Sequence, residues 1–223
     1  LGTSGFVNAH LEDQTALFQK HRIDLGELTR NGEKIVHLVV SSSVTVACLS
    51  NNKLVRIRRG AEGDETDLID LGRRPPEDNV QAIFIDPTAE HLIVSVMNAR
   101  ERQYETVYVQ LPNKAKPLLV KKLKGLEITA VAWSPDAKRG DKSTREILLG
   151  TKLGEVFEVE FEVKAERYVK QVFALETSRP EPISGLRIDK LKVEGKYFVM
   201  VTSKRRALQF IGMSGLDAPI FGD

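Results

Sequence analysis

The chain has 223 residues, and its 33 Lys+Arg against 31 Asp+Glu leave a formal net charge of +2. That balance argues against a dedicated nucleic-acid binder, whose phosphate-neutralising face usually makes a domain strongly basic. One Cys excludes an intrachain disulfide framework and a Cys-rich zinc site. Hydrophobic residues at 41% can supply a core while charge at 29% solvates the surface, so the composition is not that of a disordered chain. No apolar run approaches the roughly 18 residues of a membrane span, and no basic-then-apolar signal peptide opens the chain. A reducing, cytosolic setting is expected, and Leu1 in place of Met points to a processed or truncated piece.

Residues 1–33 are assigned to an N-terminal segment with a candidate outer or closing strand. From Lys34 onward most of the chain reads in periods of two. Val36–Val40 is a nearly continuous apolar run rich in β-branched residues, as expected of a strand buried on both faces. Ser50–Lys53 can close a tight hairpin because Asn tolerates positive φ. Leu54–Arg58 alternates weakly, and Gly60–Asp67 reads as an exposed loop. Val80–Ile85 is a second buried run, ended at Asp86-Pro-Thr88 because Pro cannot donate to a ladder. Glu90–Gln103 favours a strand leading into a polar loop, and Thr106–Leu111 alternates. Ile128–Trp133 is a third buried run, ended at Ser134-Pro-Asp136. In Val156–Val163 the apolar Phe157, Val159, Phe161 and Val163 oppose Glu158, Glu160 and Glu162, which predicts a half-buried strand with a carboxylate-lined outer face.

Repetition decides the architecture. Lys34-Ile-Val-His-Leu-Val-Val-Ser-Ser42, Asn79-Val-Gln-Ala-Ile-Phe-Ile-Asp-Pro87, Glu127-Ile-Thr-Ala-Val-Ala-Trp-Ser-Pro135 and Pro182-Ile-Ser-Gly-Leu-Arg-Ile-Asp-Lys190 open successive units. These units, assigned to residues 34–74, 79–124, 127–175 and 182–223, are about 45 residues apart, lengthening to about 55, which suits the four-stranded blade of a β-propeller. The fold class is therefore all-β, a propeller of WD-repeat-like antiparallel blades, three complete and a fourth legible to Ile211. A β-sandwich is the alternative, but the regular long connections favour blades. Known propellers have about four to eight blades, so the chain is expected to be a fragment of a larger one. Trp133 is expected near a blade's innermost strand, packed between neighbouring blades.

Catalytic chemistry is hard to find. His10, His21, His37 and His91 are dispersed without metal-ligand spacing. Cys48 reads as a small core hydrophobe. No phosphate-binding Gly-rich loop occurs, and Gly150–Gly154 is better explained as a hairpin turn. No catalytic residue, metal, cofactor or small-molecule substrate is expected. An unrecognised propeller hydrolase would require His37 and His91 or carboxylates to converge at a propeller mouth.

Basic clusters are the polar features of interest. Lys114, Lys116, Lys121, Lys122 and Lys124 fall in one acid-free stretch, Lys204, Arg205 and Arg206 at a hairpin tip, and Arg56, Arg58 and Arg59 in a third group. Lys121, Lys122, Lys124, Lys204, Arg205 and Arg206 are the candidate partner or membrane contacts, since Lys and Arg near anionic lipid contribute about 1 kcal/mol each. The competing reading is a solvated face whose lysines blunt sheet edges. No aromatic interleaving accompanies them, which argues further against nucleic acid.

Several of these segments resemble the N-terminal propeller of the vacuolar protein sorting 18, or deep orange, family. The resemblance rests on Gly5-Phe-Val-Asn-Ala9, Leu38–Ser42, Leu54-Val-Arg-Ile57, Leu71–Arg73, Ile85-Asp-Pro-Thr-Ala-Glu-His-Leu92, Lys116-Pro117 and Lys122-Leu-Lys-Gly125. It continues through Ala130-Val-Ala-Trp133, Ile147-Leu-Leu-Gly-Thr151, Gly154-Glu-Val-Phe-Glu158 and Leu208-Gln-Phe-Ile-Gly212. The family's further blades, helical solenoid and zinc-binding RING have no counterpart here, and Met213–Asp223 matches no known segment. The resemblance implies a scaffold of the HOPS and CORVET tethering complexes, on the cytosolic face of late endosomes and the vacuole or lysosome. Other subunits of those complexes are the implied partners, with peripheral contact to anionic membranes as the alternative.

Overall fold

A computed structural model of the chain describes residues 23, 25, 32–61, 63–111, 116–163, 165–191 and 196–213. Contacts divide the chain into Leu1–Gly32 and Glu33–Asp223, and every strand described lies in the second unit. The N-terminal segment and the tail after Met213 lie almost wholly outside the described residues, as does Lys114.

Four antiparallel sheets follow one another along the chain, each meandering outward from its first strand. Blade one is β1 (Ile35–Ser41), β2 (Val44–Leu49), β3 (Lys53–Arg59) and β4 (Asp64–Asp70). Blade two is β5 (Asp78–Ile85), β6 (His91–Asn98), β7 (Gln103–Gln110) and the short β8 (Leu118–Leu119), followed by a 3-10 turn at Lys121–Leu123. Blade three is β9 (Ile128–Ala132), β10 (Ile147–Thr151), β11 (Glu155–Glu162) and β12 (Ala165–Ala174). The fourth sheet has three strands, β13 (Ile183–Lys190), β14 (Lys196–Ser203) and β15 (Ala207–Met213). Gly60–Asp67, read as a loop, is cut short because Asp64 begins β4, paired with β3 from Asp64↔Arg59 to Asp70↔Lys53.

Period-two alternation sends successive side chains of a central strand to the two neighbouring blades. In β6, Leu92, Val94 and Val96 pack toward blade one, whereas Ile93 packs toward blade three. At least one side-chain hydrogen bond also ties each adjacent pair of blades. His37 Nε2 donates to the Val80 carbonyl at 3.0 Å, Ser95 Oγ accepts from Ile128 N at 3.3 Å, and Thr129 Oγ1 donates to the Ile183 carbonyl at 2.6 Å. Blades three and four approach so closely at Gly150 that a Cβ there would lie 2.6 Å from Ile183 Cγ2, which excludes any side chain without movement.

Turns carry the expected chemistry. Asn52 takes φ of 63° between β2 and β3, a left-handed conformation that Asn tolerates. The Asp86 carboxylate accepts from the backbone N–H groups of Glu90 and His91, each at 2.7 Å, and of Thr88 at 3.0 Å. These bonds hold the β5–β6 turn while Ala89 sits at φ of 61°. First-to-second-strand connections thus lie at one end of the blades. Second-to-third-strand hairpins, at 50–52, 99–102, 152–154 and 204–206, lie at the other.

Three burial expectations are corrected. Val36, Leu38 and Val40 were expected to be covered on both faces, but they are 49%, 58% and 62% exposed. The opposite face of blade one meets blade two, whereas on the face of Leu38 the neighbouring Ala47 and Val55 are buried and the β1 edge is open. The outer glutamates of β11 are only partly solvated, because β12 and the β9–β10 connection supply partners to Glu158 and Glu160, while Glu162 keeps much of its side chain exposed. Glu160 is buried and accepts from Ser143 Oγ and from Arg167, while Glu158 accepts from Tyr168. Burial pushes the Glu158 carboxyl above its ordinary range. Trp133 follows β9 directly and packs on the core between blades two and three, but it is only partly buried. Its exposed side borders a cavity of about 270 Å³ shared with Leu186 and Ile188.

Candidate interaction surfaces

The turn after β8 raises Lys121, Lys122 and Lys124 on an exposed ridge while Leu123 anchors it in the core. Lys122 Nζ lies 3.2 Å from Glu166 of blade three, and Lys124 Nζ lies 2.7 Å from Glu101 in the β6–β7 hairpin. The Glu101 partner raises the Lys124 ammonium pKa, and Lys124 in turn lowers the Glu101 carboxyl. Both groups are exposed, so solvent screens the pair. Lys121 has no ion pair among the described residues and projects into solvent.

Lys204, Arg205 and Arg206 occupy the β14–β15 hairpin. Glu181 accepts from Arg205 N at 2.9 Å and from Ser203 Oγ at 2.7 Å, while Arg206 donates to the Glu176 carbonyl at 3.2 Å. The Lys121–Lys124 ridge and this hairpin both lie at the hairpin end of the blades, on blades two and four respectively. Arg58 and Arg59 lie at the opposite end, where β3 closes. The basic clusters found in the sequence therefore do not merge into one patch.

The histidines do not converge. His37 serves the interblade bond to Val80, and His91 is 1% exposed beneath Tyr108. His91 Nδ1 lies 2.8 Å from the Tyr108 hydroxyl, and Tyr108 stacks on Phe161 with centroids 5.0 Å apart. Burial lowers the His91 pKa despite nearby Asp86, Glu90 and Asp141, and burial raises that of Tyr108. Cys48 is likewise buried, and its thiol is pushed up to about 11, which suppresses the reactive thiolate. Among the described residues, no group of three or more His, Cys, Asp or Glu could hold a metal ion. No described helix is long and apolar enough to cross a membrane.

Two polar features escaped the sequence reading. Asp136, taken only as a turn residue, accepts from Tyr197 and Lys190 and so links the β9–β10 turn to blade four. Burial alone would raise its carboxyl, but these donors outweigh burial and lower it. Arg56, counted among surface basics, is buried within β3. The even spacing of Leu54, Arg56 and Arg58 was the available signal, since it puts Arg56 on the same face as core Leu54.

This ordered series of outward-meandering blades is matched at the sequence level. Residues 16–221 match the Pep3/Vps18/deep orange beta-propeller domain, which corrects the reading of residues 213–221 as matching no known segment. The chain belongs to that family. A vacuolar protein sorting-associated protein 18 homolog of Danio rerio is 31% identical over 218 residues, covering 94% of this chain and 21% of the relative. A vacuolar sorting protein 18 of Arabidopsis thaliana is also 31% identical, over 206 residues, covering 90% of this chain and 20% of the relative. The chain thus spans about a fifth of the length of these deep orange family relatives. Two solved structures share the fold at low identity. The N-terminal domain of Nup159 has a TM-score of 0.54 at 10% identity, covering 81% of this chain and 56% of that one. The WD40 domain of SCAP from fission yeast has a TM-score of 0.50 at 14% identity, covering 84% and 41%.

Proposed function

We propose that the chain is a non-enzymatic interaction platform of a membrane-tethering assembly, HOPS or CORVET, acting in vesicle docking and vacuolar or lysosomal protein sorting. Its working place in this reading is the cytosolic face of late endosomes and the vacuole or lysosome. Family membership carries the proposal, because the matched relatives are named for vacuolar sorting. The architecture supports it: side chains alternate into two interblade cores, which holds connecting loops on a rigid frame. Other subunits of the assembly are the proposed partners. Pull-down of the chain against each purified subunit tests this, with retention of at least one at physiological salt expected. Retention of none would overturn it.

The exposed Lys121 ridge and the Lys204–Arg206 hairpin favour one second reading, a peripheral contact with anionic membranes. Flotation with phosphatidylserine vesicles separates the two. The triple variant K121E/K122E/K124E should keep its melting temperature within a few degrees, because exposed ion pairs contribute under about 1 kcal/mol. Normal subunit binding with salt-sensitive vesicle binding lost in this variant would promote the membrane reading. Unchanged behaviour in both assays would leave these lysines a solvated face.

A further inference from the structure

Between blades one and two a cavity of about 210 Å³ opens at the end where the β1–β2 and β5–β6 turns meet. Ser42, Ser43 and Thr88 line it, together with three arginines, Arg56, Arg58 and Arg139. The two turns are fixed to each other, because Ser42 Oγ donates to the Pro87 carbonyl at 3.2 Å. The Gly140 amide, next to Arg139, donates to Glu90 at 2.6 Å, which holds the β9–β10 connection against the same rim. Glu90 is the one acid in the lining, and that bond already engages its carboxylate.

Arg56 sets this cavity apart from an ordinary basic surface. Its residue is 4% exposed, and one terminal nitrogen donates to Asp67 at 2.5 Å across β3 and β4. Its Nε is buried and has no hydrogen-bond partner. A buried donor on a charged group left unpaired is costly, so such groups are rarely left without an acceptor. Arg58 and Arg139 form no ion pair among the described residues, although the exposed Glu65 lies opposite Arg58 in register. Arg58 and Arg139 therefore present planar guanidinium donors with unused capacity at the wall, the group best matched to a phosphate, while buried Arg56 adds positive charge behind them.

We propose that this cavity binds a phosphate monoester carried on a phosphorylated side chain of a protein partner. The volume lies below the roughly 300–1,000 Å³ of sites for drug-sized ligands, which fits a single phosphate group and not a nucleotide. A lipid surface would draw on basic residues grouped at one end of the blades. Here the Lys121–Lys124 ridge and the Lys204–Arg206 hairpin lie at the end opposite the arginine cavity. The proposal is independent of the tethering assignment, so failure of either leaves the other standing.

Calorimetric titration of the 223-residue chain with acetyl-Ala-phosphoSer-Ala-amide tests it, with the unphosphorylated peptide and inorganic phosphate as comparators. The phosphopeptide should bind at least tenfold more tightly than its unphosphorylated form, and inorganic phosphate should compete with it. The double variant R58Q/R139Q changes only residues outside the buried core, so it should melt as the parent does. It should lose at least tenfold in phosphopeptide affinity. Equal binding of the two peptides, or full affinity in the double variant, would overturn the proposal. Binding to phosphoinositide vesicles without binding to the phosphopeptide would overturn it too, because the source would then be lipid.

Discussion

The contacts on the two sides of blade two are built differently. Toward blade one the core is wholly aliphatic apart from Cys48, with Val44, Val46 and Leu54 meeting Val80, Leu92 and Val94. Toward blade three it contains Tyr108 and Phe161 in a stack, with Phe84, Trp133 and Phe157 at its margin. Aromatic rings fill the space between the two sheets with few side chains, and of these rings only Trp133 at the margin borders a mostly apolar opening. Short aliphatic side chains fill the first contact only in its middle, and its end opens into the arginine-lined cavity. One blade can therefore supply stability on one face and a polar site on the other.

The largest effect should come from the aromatic side. Phe161 is fully buried, so Phe161→Ala should destabilise the chain by about 3–5 kcal/mol in urea denaturation. Leu54→Ala, its counterpart in the aliphatic contact, should cost about 2–4 kcal/mol. A larger loss at Leu54 than at Phe161 would break the contrast between the two contacts.

A pH-dependent effect should follow from His91, which belongs to the same aromatic contact. Burial lowers its folded-state pKa below the ordinary 6.5. The unfolded chain therefore binds more protons as pH falls below that value, and folding stability must fall with it. Stability from a neutral His91 is fully present above pH of about 6.5 and is lost progressively between there and the folded-state pKa. Melting temperature measured from pH 7.5 to 5 should decline more steeply in the parent than in His91→Gln. Identical slopes would show that His91 gains a proton as readily folded as unfolded.

The smallest effect is expected on the free face of β1. Leu38→Ser and Val40→Thr should each change stability by under about 0.5 kcal/mol, because more than half of each residue already meets solvent. A loss above about 2 kcal/mol would mean that this face is covered in solution.

Strand positions and blade order were legible because both depend on short-range pattern. Alternation in β7 and β11, the Asp86 and Ser134-Pro-Asp136 turns and the four aligned opening strands each reflect a backbone constraint acting over a few residues. Burial was less legible. The apolar runs Val36–Val40 and Ile128–Ala132 look alike in sequence, yet the first is mostly exposed and the second mostly buried. The charged residues of Arg56 and Glu160 looked solvated and are buried, paired with Asp67 and Arg167.

What the sequence determined by itself was therefore the all-β class, the repeated meander and the family. These follow from local periodicity and from motifs read in order. Only the tertiary structure decided which apolar face stays open, which charged groups are buried and which basic residues share a cavity. Ser42, Arg56, Thr88 and Arg139 come from four separate segments of three blades, and they meet because blade packing brings their ends together. Pairing within a blade is set by neighbouring hairpins, whereas contact between blades depends on faces that are distant in sequence. No local pattern encodes that second kind of proximity.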